Sequence, residues 1–156
     1  MIITTIKLKQ FMSYADEAVW HPQLDVTGII GEYEDDSLRS NGSGKSTLVM
    51  SIIYALYGEG RFGTIDEVVY DKANPVDMFV EIEFMLNNNK YSILRGRKKS
   101  SPYLVVTENG QILGNEQTTI AQKQELINSV MGMDYDMFTA TVFFEQGNAA
   151  KFINSG

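Results

Sequence analysis

The stretch Asn41-Gly42-Ser43-Gly44-Lys45-Ser46-Thr47 constrains this chain more than any other. Before it, Val26-Thr27-Gly28-Ile29-Ile30-Gly31 is short, apolar and β-branched, the pattern of a buried strand. After it, Leu48, Ile52, Ile53, Leu56 and Tyr57 recur at helical spacing. A strand that passes through glycines and Lys-Ser into a helix makes a phosphate-binding loop. Gly42 and Gly44 let the backbone curl until successive N–H groups face one concavity, and the positive end of the new helix points into it. Lys45 can reach the β- and γ-phosphates as a mobile point charge, and the Ser46 hydroxyl can join the shell of Mg²⁺. Asn41, Ser43 and Thr47 complete this expected nucleoside-triphosphate site.

The match has one departure. The usual pattern places a glycine where this chain has Arg39, and the glycine that ends the strand, Gly31, is separated from Asn41 by Glu32 to Ser40. The loop therefore reads as one with extra residues pushed into its front edge, an insertion whose closure entropy grows only logarithmically with length. Glu32, Glu34, Asp35 and Asp36 cannot sit beside a triphosphate, so the insert is expected to bulge into solvent. The competing reading of the motif is an ordinary glycine turn before a helix.

At 156 residues the chain has the size of one domain with a proper core. It has no cysteine, which excludes disulfides and thiolate metal sites and suits a reducing cytoplasm. No apolar run approaches the roughly 20 residues needed to cross a bilayer, and no signal peptide is expected. A formal charge of −7 argues against a general polyanion binder, so any contact with DNA must be local.

Ile2 to Lys9 alternates and is β-branched, predicting a strand, and Glu17 to Trp20 predicts a second. His21, the lone histidine, reads as a loop residue rather than a metal ligand. Asp66-Glu67-Val68-Val69-Tyr70-Asp71 is too short for a magnesium-binding strand ending in aspartate and reads as a surface segment or helix end. Val76 to Leu86 turns at Asn87-Asn88-Asn89 into Lys90 to Arg95, a hairpin. Tyr103 to Thr107 turns at Asn109-Gly110 into Gln111 to Leu113, giving an antiparallel sheet beside the nucleotide core. Arg95, Arg97, Lys98 and Lys99 form the concentrated positive charge, read either as a DNA-backbone contact or as a solvated hairpin end that blunts an edge strand. Thr118 or Thr119 can cap a helix running to Gly132, in which Gln122 and Gln124 read as surface residues. Thr139 to Glu145 is expected as a strand ending in Gln146-Gly147.

The opening Ile6-x-Leu8-x-x-Phe11-x-Ser13-Tyr14, the strand ending in glycine, Asn-Gly-Ser-Gly-Lys-Ser-Thr-Leu and Ala55-Leu56-Tyr57-Gly58 together resemble the N-terminal half of SbcC-type ATPases. These are double-strand-break repair ATPases related to the chromosome-maintenance (SMC) proteins. The insert looks more like the phage recombination-endonuclease members of that group. The resemblance implies an α/β fold: a P-loop head of the ABC/SMC type, its N-terminal lobe carrying a core P-loop sheet and an additional antiparallel sheet. It implies ATP and Mg²⁺ as ligands, with Gln146 as a Q-loop residue touching the metal and the attacking water. Ser13 would contact phosphate or ribose, although Met12 stands where the family often has arginine.

The resemblance also implies a long coiled coil and a C-terminal lobe bearing the remaining catalytic motifs, with residues 148–153 leading toward the coil. On this reading the chain is the N-terminal lobe of a head, a fragment or one half of a split protein. The implied mechanism is a switch in which ATP held by Lys45, Ser46 and Gln146 joins two copies of the head and hydrolysis releases them. That cycle would reposition an SbcD-type nuclease on DNA in the cytoplasm of a bacterial or phage-infected cell. The competing classes are a structural SMC-like ATPase that clamps DNA without a nuclease, and a self-contained P-loop kinase or GTPase.

Overall fold

The computed structural model describes residues 1–23, 27–30, 44–58 and 65–142. Six strands, β1 (Ile2–Lys9), β2 (Ala18–Trp20), β3 (Asp77–Leu86), β4 (Asn89–Lys98), β5 (Ser101–Glu108) and β6 (Gln111–Ile112), form one sheet in the order β2-β1-β3-β4-β5-β6. Every neighbouring pair is antiparallel. The two strands that open the chain thus join the later hairpins in a single antiparallel layer. Among the described residues three α-helices, α1 (Lys45–Tyr57), α2 (Ile120–Met131) and α3 (Tyr135–Thr141), and a 3-10 turn at Ile65–Val68 accompany it.

Alternation sets the sheet's two faces. Along β3 the residues Met78, Val80, Ile82 and Phe84 are fully buried, while the residues between them are half-buried. The register places Ile6, Ile82, Ile93 and Val106 on one line across four strands, all inside. α1 closes this face with Leu48, Ile53, Tyr54 and Leu56, and Tyr54 packs its ring 5.2 Å from that of Phe11. The opposite face is polar in its centre: Ser92 donates to Glu81 at 3.0 Å, and Lys90 pairs with Glu83 at 3.1 Å.

Local chemistry ends each element. The β3–β4 turn is Asn87-Asn88, both at positive φ (50° and 66°), which matches the right-handed twist of a two-residue hairpin. β4 runs on to Lys98, three residues beyond the apolar run, and turns at Lys99 (φ 55°) into β5. α2 starts on a capping box, with the Thr119 hydroxyl accepting from Gln122 N–H and the Gln122 side chain accepting from Thr119 N–H, and stops at left-handed Gly132.

Two sequence expectations differ from the structure. Thr27 to Ile30 carry no strand and Ile30 is 84% exposed. A parallel P-loop strand requires partner strands, and among the described residues no strand pairs with this segment. Thr139 to Thr141 lie in α3 rather than in a strand. Asp134 caps that helix by accepting from Met137 N–H at 2.9 Å. The β-branched Thr139 and Thr141 are reconciled with a helix because their hydroxyls bond back to the carbonyls of Tyr135 (2.9 Å) and Met137 (2.6 Å). Phe138 fixes α3 to α1 through the ring of Tyr57, 5.4 Å away.

Candidate nucleotide-binding site

The site is built at the start of α1. Gly44 is the N-cap in the left-handed region (φ 85°, ψ 1°), with no side chain capping the helix and no acidic residue in its first turn. The first intrahelical bond from that residue runs from Leu48 N–H to Gly44 O at 3.0 Å. The helix itself therefore offers no acceptor to the N–H groups of Lys45, Ser46 and Thr47. Backbone donors that the helix does not use, a positive dipole end and a first turn without an acidic residue are what a phosphate oxygen requires.

The loop after β1 walls this corner. A Cβ added at Gly44 would stand 3.0 Å from Tyr14 Cε2, 3.2 Å from its hydroxyl and 3.3 Å from Ser13 Oγ. Glycine at 44 is favoured by its φ, and the close approach of Ser13 and Tyr14 leaves a side chain there little room. Ser13 Oγ lies 3.1 Å from Thr47 Oγ1 and donates to it. Phe11 and Met12 hold the loop in place: Phe11 is buried under α1, and Met12 N–H donates to Val68 O at 2.7 Å. Ser13, far in sequence from Gly44 and Thr47, thus meets them in one place.

Within it the side chains divide by exposure. Thr47 is buried and its hydroxyl faces Ser13, whereas Ser46 is exposed and Lys45 half-buried on the same turn. The set fits a nucleoside triphosphate with Mg²⁺: backbone N–H groups at a helix start reached through left-handed Gly44, one ammonium, and one exposed hydroxyl of the hard-oxygen type that Mg²⁺ takes. Asn41, Gly42, Ser43 and Gln146 lie outside the described residues.

The basic run separates into two parts. Arg95 does not belong to a DNA-facing surface: it is 8% exposed, on the core side of β4. Its Nε donates to Ala55 O at 3.0 Å, and one Nη donates to Leu56 O at 3.3 Å and to Gln124 Oε1 at 2.6 Å. Period-2 alternation along β4, carried past the apolar residues, places Arg95 on the line of Tyr91 and Ile93 and is the signal in the sequence for its burial. Gln124, expected at the surface, donates to Leu56 O and to Asn128 Oδ1, each at 3.0 Å. Lys98 and Lys99 are exposed at the hairpin end, with half-buried Arg97 donating to Lys99 O at 3.1 Å.

Beside this joint a polar cleft of about 200 Å³ is lined by Tyr57, Gln124, Asn128, Asp134, Tyr135 and Asp136. Burial, with the Asp134 carboxylate adding to it, pushes the Tyr57 phenol up to about 12.

Comparison with known proteins places these features in a family. A family model described as an AAA domain matches residues 5–155. The chain is 29% identical over 154 residues to the DNA double-strand break repair Rad50 ATPase of Methanocaldococcus jannaschii, an alignment that covers 99% of this chain and 14% of that protein. It is 30% identical over 122 residues to the SbcC component of the nuclease SbcCD of Deinococcus radiodurans, covering 72% of this chain and 13% of that protein. The chain therefore spans about one-seventh of the length of these relatives. Its fold is that of the SMC head domain from Thermotoga maritima, with a TM-score of 0.60 and 22% identity, covering 100% of this chain and 52% of that one. Among the described residues no helix is long and apolar enough to cross a membrane.

Proposed function

The chain belongs to the AAA domain family, and from that premise we propose that it is the ATP-binding half of a DNA-repair ATPase head whose ATP-dependent pairing controls a nuclease on DNA ends. The observation that carries this reading is the mouth of α1, where Gly44 is left-handed, lies close against Ser13 and Tyr14, and is followed by a first turn without an acidic residue. The Rad50 and SbcCD names of the relatives support the choice of reaction and partner class.

In this reading the N–H groups of Lys45, Ser46 and Thr47 donate to phosphate oxygens, and Asn41, Gly42 and Ser43 continue the cradle upstream. The Lys45 ammonium balances charge at the β- and γ-phosphates. Ser13 fixes the Thr47 hydroxyl, so the backbone N–H of Thr47 serves the ligand while its side chain braces the loop. Ser46 and Gln146 would hold Mg²⁺, which when bound spreads the charge of the transferring phosphoryl group. Residues 1–156 then form the N-terminal lobe, completed by a C-terminal lobe across a coiled coil and by a second copy of the head. Coverage of 52% of the SMC head chain and of 14% of the Rad50 relative supports that division. An SbcD-type nuclease and DNA are the remaining partners, and Arg97, Lys98 and Lys99 are the residues that would meet the DNA backbone.

The test is MgATP turnover by this chain alone and after its C-terminal half is added. Hydrolysis that appears only on reconstitution and falls to background in Lys45→Ala is the expected result. Robust turnover by the 156-residue chain alone would overturn the split-head reading.

A further inference from the structure

The far end of α1 carries a joint that no phosphate-loop motif requires. A helix leaves its last carbonyls without helical partners, and here the last turn is buried: Ala55, Leu56 and Tyr57 all lie in the core. No basic residue of α1 itself stands in that turn. The groups are satisfied from outside. Gly58 N–H takes Tyr54 O at 2.8 Å, Arg95 Nε takes Ala55 O, and Leu56 O receives both Arg95 and Gln124. Gly58, left-handed at φ 68°, leaves the space: a Cβ there would stand 2.6 Å from one Nη of Arg95.

We propose that Arg95 is a positioning residue for the nucleotide site, fixing where α1 sits along its own axis and hence where Lys45 and Ser46 meet the phosphates. The packing of α1 on the sheet is mainly apolar and little directional, and the further side-chain bonds of the helix, Ser13 to Thr47 and Tyr57 to Met133 O, join it to loops rather than to the sheet. A planar guanidinium hydrogen-bonded to two successive carbonyls sets the helix's axial position, to a fraction of an ångström. Gln124 locks the same fork from α2, so the joint ties the phosphate helix to strand and neighbouring helix at once. The positive charge also faces the negative pole of the helix whose positive pole faces the ligand. α1 has thirteen residues and spans about 20 Å, and as a rigid rod it carries a shift at one end to the other. Loss of the fork displaces the first turn, and phosphate sites tolerate only about 0.5 Å of displacement.

This inference rests on the nucleotide reading, and the experiment separates the two. MgATP affinity is measured in the full-length protein for the parent, Lys45→Ala, Arg95→Met, Arg95→Lys, Gln124→Ala and Val106→Ala, at a temperature where circular dichroism shows each fully folded. Val106 is buried on β5, so its truncation is a core lesion of comparable stability cost that leaves the joint intact. Arg95→Met is expected to weaken binding about tenfold, Arg95→Lys and Gln124→Ala about threefold, and Val106→Ala less than about twofold. If Arg95→Met does not fold, the milder Arg95→Lys and Gln124→Ala carry the same test. Parent-like affinity in the folded Arg95 and Gln124 variants, with Lys45→Ala inactive, overturns the positioning role alone. Equal weakening by Val106→Ala overturns it too, because general loosening would then explain the loss. No MgATP binding by the parent overturns the nucleotide reading and this inference together.

Discussion

Tyr57 shows how one residue couples the phosphate helix to its neighbours. Its ring packs against Phe138 and Tyr135 of α3, and its hydroxyl donates to Met133 O at 3.3 Å. Burial, then the Asp134 carboxylate, raise its pKa from 10.0 to about 12. The folded chain therefore keeps this proton at a pH where the unfolded chain has lost it. The resulting stability is fully present below pH 10, declines as pH rises, and is gone above about 12. Urea unfolding across that window should show stability falling as pH rises, with part of the fall attributable to this group. Tyr57→Phe should shallow the decline without abolishing it, because Tyr54, Tyr91 and Tyr103 are also held above their usual range. An identical slope in the variant would remove Tyr57 from the alkaline transition.

At the level of elements, the sheet is legible because strands with one buried face write alternation into the sequence. β3, β4 and β5 stand where the pattern puts them, β4 running on past Arg95 to Lys98, as do the Asn-rich turn after β3 and the Asn-Gly turn after β5. Thr139 to Thr141 mislead for the same reason: a β-branched run reads as strand, and only the Asp134 cap and the packing of Phe138 reveal the helix. Arg95 reads as surface when charge is weighed before register, and register is what buries it. Gly96 is a further device that the strand pattern leaves unexplained. A Cβ there would lie 2.5 Å from Met78 O and 2.5 Å from the Tyr103 hydroxyl. Tyr103, its cross-strand partner, lies over the bare backbone. Gly96→Ala should destabilise the sheet by about 2 kcal/mol or more in chemical denaturation. Adding Tyr103→Ala should not restore stability, because the Met78 carbonyl clash is backbone and remains. Full recovery in the double variant would assign the whole effect to the tyrosine ring.

Across the whole molecule, charge decides how the proposed contact with DNA could be made. A formal charge of −7 repels a polyanion at long range, so contact must come from a patch where the local sign reverses. With Arg95 turned inward, that patch is Arg97, Lys98 and Lys99 at the β4–β5 end. Asp77 faces Lys98 across the register but pairs with Lys9 at 2.9 Å, and that bond keeps its carboxyl below the usual carboxylate range. At neutral pH the Asp77 charge is thus matched by Lys9, leaving the hairpin end net positive. Each lysine that neutralises a phosphate releases condensed counterion and adds about 0.9 to the slope of log affinity against log salt for duplex DNA. Lys98→Ala with Lys99→Ala in the full-length protein should therefore cut that slope by about 2 while leaving MgATP affinity unchanged. Asp77→Asn should act in the opposite direction, tightening DNA binding modestly at low salt because Lys9 is released to the same surface. A slope unmoved by the double lysine variant would mean that the hairpin end is only a solvated strand terminus and would remove it from the proposed DNA contact.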